Sequence, residues 1–200
     1  MLLQLLAQVI SEPCFNILRT REQLGYIVFS SVDRGNGVQG LRIIIQSERT
    51  PVYLEGRAEA FINHIGDHLE AMSDGEFQKH VTSLAAQILE KPKKLTTETL
   101  KYWSELLSEQ LFFNRDEVEA EHLKTLTKTQ LQDFYKRYIH LSAPERAKLV
   151  IHVLAKNLES CPTVPEPTSN KDLLPCPKLP ESLELYPRVQ PHYNVDDAKL

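Results

Sequence analysis

Arg19 and Tyr26 stand seven residues apart, with Gly25 just before the tyrosine. The arginine offers five N–H donors in a rigid fork and the tyrosine a phenolic O–H. A helix ending and a strand beginning between them can project both polar tips into one cleft. Two donors aimed at one carbonyl oxygen would then stabilise the oxyanion of a tetrahedral intermediate. On spacing alone a plainer arrangement is favoured: Arg19 ion-paired with Glu22 or a neighbour, and Tyr26 packed on a sheet.

Other residues invite chemistry less strongly. His64-Ile65-Gly66-Asp67-His68 nearly spells the H-x-x-E-H zinc motif, with Asp in place of Glu. An i, i+4 imidazole pair can chelate zinc, and a carboxylate between them can act as base. Here the shorter Asp holds its carboxylate back, Gly66 weakens the helix, and no third ligand is evident on a later helix. Polar residues at the edge of an apolar stripe are the preferred reading, so no metal site is expected in this chain. His80, His122, His140, His152 and His192 are scattered and read as boundary or surface residues. There is no G-x-S-x-G and no C-x-x-C. Cys14 lies near an expected helix start, where a thiolate is favoured. It reads first as a small core residue and second as a modification-sensitive thiol. Lys91, Lys93 and Lys94 follow Glu90 at an expected helix end, where cations are favourable in themselves. A polyanion site is the second reading, since lysines lack the fork of arginine.

The elements that must position these groups follow from periodicity. Leu2, Leu5, Leu6, Val9 and Ile10 recur at helical spacing and predict a helix over residues 2–10 with one buried face. Ser11 can cap a second segment with Pro13 in its first turn, running to about Glu22 and burying Phe15 and Leu18. Tyr26 to Ser30 reads as a strand, Gly35-Asn36-Gly37 as a tight turn, and Leu41 to Gln46 as the returning strand. Thr50-Pro51 opens a helix with Leu54, Ala58, Phe61, Ile62, Ile65 and Leu69 on its core stripe. Ser73-Asp74-Gly75-Glu76 is a capping box that buries Phe77, Val81, Leu84 and Ile88 behind it. Further helices are expected at Leu100 to Leu107, at Val118 to Leu123, and after a second capping box at Thr127 to Gln130. Lys148 to Leu154 reads as a late strand. Strands and helices are segregated, which predicts an α+β fold: a small antiparallel or mixed sheet with helices packed on one face. Three strands make a small sheet, so the domain is expected to lack its first strands. Eight of the twelve prolines lie between Pro162 and Pro191. The expected organisation is therefore a domain over 1–157 and an extended Pro-rich arm over 158–200.

Composition bounds the function. A chain of 200 residues with 42% hydrophobic and 25% charged residues has ordinary globular composition. A net charge of -4 gives no electrostatic case for nucleic acid. No apolar run approaches the roughly 20 residues needed to span a bilayer, so no membrane partner is expected. The cysteines Cys14, Cys161 and Cys176 are too few and too scattered for a disulfide framework, which fits a reducing compartment.

Longer matches go beyond spacing. Pro13-Cys14-Phe15-Asn16-x-Leu18-Arg19-Thr20-x-Glu22-Gln23-Leu24-Gly25-Tyr26-Ile27-Val28-Phe29-Ser30 resembles the insulin-degrading enzyme (insulysin) branch of the M16 inverzincin metallopeptidases. So do Gly40-Leu41-Arg42-x-Ile44-Ile45-Gln46-Ser47-Glu48, Phe77-Gln78-Lys79-His80, Lys91-Pro92-Lys93-Lys94-Leu95, Leu123-Lys124-Thr125-Leu126-Thr127-Lys128 and His152-Val153-Leu154-Ala155. The resemblance covers nearly the whole chain and points to the C-terminal, fourth domain of such an enzyme. It implies four related αβ domains closing around a chamber, with zinc bound in the first domain and none in this chain. It implies that the parent enzyme degrades insulin and other short peptides, while this chain alone is inactive. Arg19 and Tyr26 match the family residues that hold substrate backbone and the tetrahedral intermediate. Lys91, Lys93 and Lys94 match a region that binds nucleotides and other polyphosphates, although Gln87 stands where an arginine is expected. His64 and His68 have no counterpart in the family motif. The implied partners are peptide substrates such as insulin and the N-terminal catalytic domains. The ending Ala198-Lys199-Leu200 resembles a peroxisomal address, so a cytoplasmic and partly peroxisomal protein is expected. The alternative is a non-catalytic module that binds peptides or peptidase chains.

Overall fold

The computed structural model describes residues 1–154, Asn36 excepted, and Leu174. The domain boundary expected at 157, the 158–200 arm apart from Leu174, Cys161, Cys176, His192 and the terminal tripeptide lie outside the described residues.

Helix α1 (Leu2–Cys14) occupies the centre. Leu3, Leu5, Leu6, Ala7, Val9, Ile10 and Cys14 are all buried. Burial nearly all round marks a core helix and exceeds the single face that the periodicity predicts. The helix runs through Pro13 without a break at Ser11 and continues as a π-helical segment, Phe15–Arg21. The antiparallel strands β1 (Ile27–Gly35) and β2 (Val38–Gln46) follow, paired from Ile27↔Gln46 to Gly35↔Val38. The turn between them uses Gly37 at φ 75, a conformation that costs glycine little. Both strands are longer than the apolar runs suggest, because their outer ends are polar and exposed.

Helix α2 (Pro51–Ala71) opens on Thr50 with Pro51 in its first turn. It buries Ala60, Phe61, Ile65 and Leu69. Helix α3 (Asp74–Ile88) carries the complete capping box between Ser73 and Glu76 and buries Phe77, Val81, Leu84 and Ala85. Helices α4 (Leu95–Leu107), α5 (Arg115–Lys124) and α6 (Lys128–Phe134) follow. The second capping box, Thr127 with Gln130, opens α6, and a π-helical segment, Tyr135–Ile139, extends it. Helix α1 packs against β1, α3 and α6, and α3 packs against α5. The result is the α+β architecture expected, with a two-stranded antiparallel sheet. Among the described residues no helix is long and apolar enough to cross a membrane.

The late strand does not form. Residues 148–154 form no regular element and pair with no strand among the described residues. Leu149, Ile151 and Val153 are exposed, while Lys148 and His152 reach the acids of α2. Lys148 Nζ lies 2.5 Å from Glu55 and 2.9 Å from Glu59, and Arg146 binds Glu59 at 2.8 Å. Ion pairs to a helix therefore hold a segment whose composition favours a sheet, since β-propensity records context more than backbone preference.

Candidate functional site

The junction between α1 and β1 is wound in an unusual way. Pro13 has no N–H to return to the helix, so the regular ladder loses one bond there. From Phe15 the chain widens to π winding, which closes with Glu22 N–H donating to Ile17 O at 2.9 Å. Leu24 N–H then donates to Leu18 O at 3.0 Å. Wide turns of this kind recur at functional sites. The winding buries Ile17 and Leu18 and turns Phe15 outward, 47% exposed. The burial expected for Phe15 is thus corrected: regular α spacing does not continue past Cys14, so its inward face does not extend to residue 15.

Two backbone features finish the turn. Gln23 adopts φ 50, and Gly25 lies so close to β2 that a Cβ there would come within 2.0 Å of the Gln46 carbonyl oxygen. Only glycine fits that approach. Tyr26 follows immediately at the mouth of β1 and is 80% exposed.

Arg19 meets Tyr26 across this turn. Its guanidinium carbon lies 5.0 Å from the Phe15 ring centroid and 5.3 Å from the Tyr26 ring centroid. Two aromatic faces therefore hold the cation, and donors on the edge of the fork stay available. Among the described residues Arg19 has no carboxylate partner. The acid that spacing offers it, Glu22, is committed to Arg57 of α2. Tyr26 likewise stands free of the sheet. Neither half of the plainer arrangement forms.

Arg57 and its pairing with Glu22 were not singled out by sequence reasoning. Glu22 and Arg57 are 4% and 3% exposed and form a two-bond pair, one bond of 2.8 Å from Arg57 Nε and a second from Nη2. Arg57 also donates to the Leu174 carbonyl at 2.6 Å. The available signal was position: Arg57 falls three residues after Leu54 and four before Phe61, on the apolar stripe of α2. A charge there must find a partner inside the protein.

The remaining candidates lie apart. Cys14 is fully buried, and burial pushes its thiol up to about 11. That is the environment of a core residue; a thiol reagent reaches it only when the core opens. Lys91, Lys93 and Lys94 lie exposed on the connector from α3 to α4, Lys93 sits 2.6 Å from Glu90, and Lys94 precedes α4. His64 and His68 lie one turn apart on α2, His64 Nδ1 being 3.9 Å from Asp67. Among the described residues no group of three acidic, histidine or cysteine side chains is placed to hold a metal. Gly66 has a structural use: a Cβ there would come within 3.3 Å of Tyr135, whose hydroxyl donates to the Ile62 carbonyl at 2.7 Å.

Comparison with known proteins bears on this junction. Residues 5–103 match the family described as PQQ synthase PqqF-like, C-terminal lobe domain 4. The chain is 50% identical to the insulin-degrading enzyme of Bos taurus over 214 residues, covering 100% of this chain and 21% of the relative. It is 36% identical to a peroxisomal insulin-degrading enzyme-like protein of Arabidopsis thaliana over 178 residues, 88% of this chain and 18% of that one. The crystal structure of pitrilysin superposes with a TM-score of 0.59 at 30% identity, over 67% of this chain and 14% of that chain. The chain thus spans about a fifth of the length of the curated relatives it matches.

Proposed function

Because the chain belongs to the M16 metallopeptidase family, that of the insulin-degrading enzymes, we propose that it is the substrate-holding part of a zinc metalloendopeptidase acting on insulin and other short peptides. In this reading zinc is bound by another part of the longer polypeptide and supplies the activated water. Arg19 and Tyr26 face it across a chamber and donate to the peptide carbonyl as it becomes an oxyanion. The observation that carries the reading is the state of Arg19: stacked between two rings, without a carboxylate partner among the described residues, beside an exposed phenol. A paired arginine would have its donors occupied before substrate arrived. Each donor of this kind contributes about 2.7–4 kcal/mol to the transition state.

In this proposal Lys91, Lys93 and Lys94 form an accessory anion site for nucleotide or polyphosphate. Their exposure supports it; the pairing of Lys93 with Glu90 weakens it. We place the protein in the cytoplasm and partly in peroxisomes; the name of the Arabidopsis relative supports the peroxisomal share alone.

The test is hydrolysis of a quenched fluorogenic peptide by a separately expressed zinc-bearing half of a relative, with and without this chain. A rate increase that Arg19→Ala abolishes is expected. No increase, with this chain shown to be folded, overturns the proposal in favour of a module that binds without catalysis.

A further inference from the structure

Arg57 grips the turn that joins Arg19 to Tyr26. Glu22 lies three residues after Arg19 and four before Tyr26. It closes the π winding through its N–H to Ile17. From there to Tyr26 the backbone is constrained at each step: Gln23 at φ 50, Leu24 bonded back to Leu18, and Gly25 pressed on Gln46. One side chain in this turn reaches another element through a buried charge pair, and it is Glu22 with Arg57. Arg57 spends one side of its fork on Glu22 and another on the Leu174 carbonyl, so its own position is fixed from two directions.

A buried ion pair is a poor device for stability, because desolvation of both charges offsets much of their attraction. It is a good device for selecting one geometry, because a two-bond arginine–carboxylate fork tolerates little displacement. The geometry at stake is the placing of Arg19 against Tyr26, whose ring centroid lies 5.3 Å from the guanidinium carbon. We infer that Arg57 is a positioning residue: by holding Glu22 from α2 it sets the turn that aims Arg19 and Tyr26 at the same substrate atom. This rests on the proposed role of those two residues.

The test separates geometry from stability. Replacing both partners, Glu22→Leu with Arg57→Met, removes the pair while leaving no charge buried alone. Such exchanges commonly keep a protein folded. Two readouts follow. In the 200-residue chain, the rings of Phe15 and Tyr26 should shift the Arg19 Nε–Hε resonance upfield, and its loss in Arg19→Lys identifies it. In the double variant it moves toward the position of an exposed arginine while the unfolding midpoint stays near that of the parent chain. In the assembled peptidase, kcat falls by about 10²-fold, the usual cost of an ångström of misplacement, with KM changed less than about three-fold. Arg57→Lys, which keeps the charge and loses the fork, falls between. A folded double variant with an unmoved Arg19 resonance and unchanged kcat overturns the inference. If the double variant does not fold, Arg57→Lys is judged by the same two readouts. Should Arg19→Ala itself leave turnover unchanged, the functional reading fails, and the resonance still decides whether Arg57 sets the turn.

Discussion

Arg19 and Arg57 lie on opposite sides of one turn and are held in opposite ways. Arg19 sits at the rim between two aromatic faces, with no carboxylate partner among the described residues. Arg57 sits beneath, 3% exposed, bonded to a carboxylate and a carbonyl. The same side chain is left with donors to spare at one place and has them used up at the other. The difference arises from competition for one acid. Glu22 is nearer to Arg19 in sequence but is taken by Arg57 in space, and that choice leaves the rim cation without a carboxylate among the described residues.

Single substitutions should separate the two roles sharply. Arg57→Met strands Glu22 as a buried charge and is expected to cost about 3–5 kcal/mol of stability, read by chemical denaturation. A cost below about 1 kcal/mol would mean that water or another cation reaches Glu22. Arg19→Ala should leave stability within about 0.5 kcal/mol. It should lower kcat/KM of the assembled peptidase by about 10²–10³, with Tyr26→Phe acting in the same direction. If Arg19→Ala instead unfolds the chain, the rim and the underside are not distinct. Ser73→Ala, at the capping box of α3 and away from the junction, should cost about 1 kcal/mol in stability and nothing in turnover. That variant is the control that shows stability and turnover moving independently. The smallest effect concerns Cys14: labelling by a thiol reagent should be slow in the native chain and fast in denaturant, because burial holds the thiol near 11. Rapid native labelling would show that α1 and the π-helical segment open locally, and the rim would then be mobile.

Helices α3 and α4 show how far sequence patterns reach. The capping box at Ser73 and the apolar spacing behind it both appear as read, because they depend on residues within a turn or two of each other. In α4 the apolar residues also recur at helical spacing and the helix forms, but Leu100, Trp103 and Leu107 are 64%, 53% and 68% exposed. Periodicity announces a face; it does not say what covers it. The strand expected at 148–154 fails for a related reason. Its composition favours a strand, but Lys148 and His152 pair with Glu55 and Glu59 of a helix.

By itself the sequence determined what depends on near neighbours: the capped helices, the hairpin around Gly37 and the α+β class. Tertiary structure decided the rest. It continued α1 through Pro13 into a π winding, turned Phe15 outward, and placed Arg57 under Glu22, 35 residues away. A hydrogen-bond register and a choice among competing cations depend on which groups are brought together in three dimensions, and no local pattern of residue types contains that information.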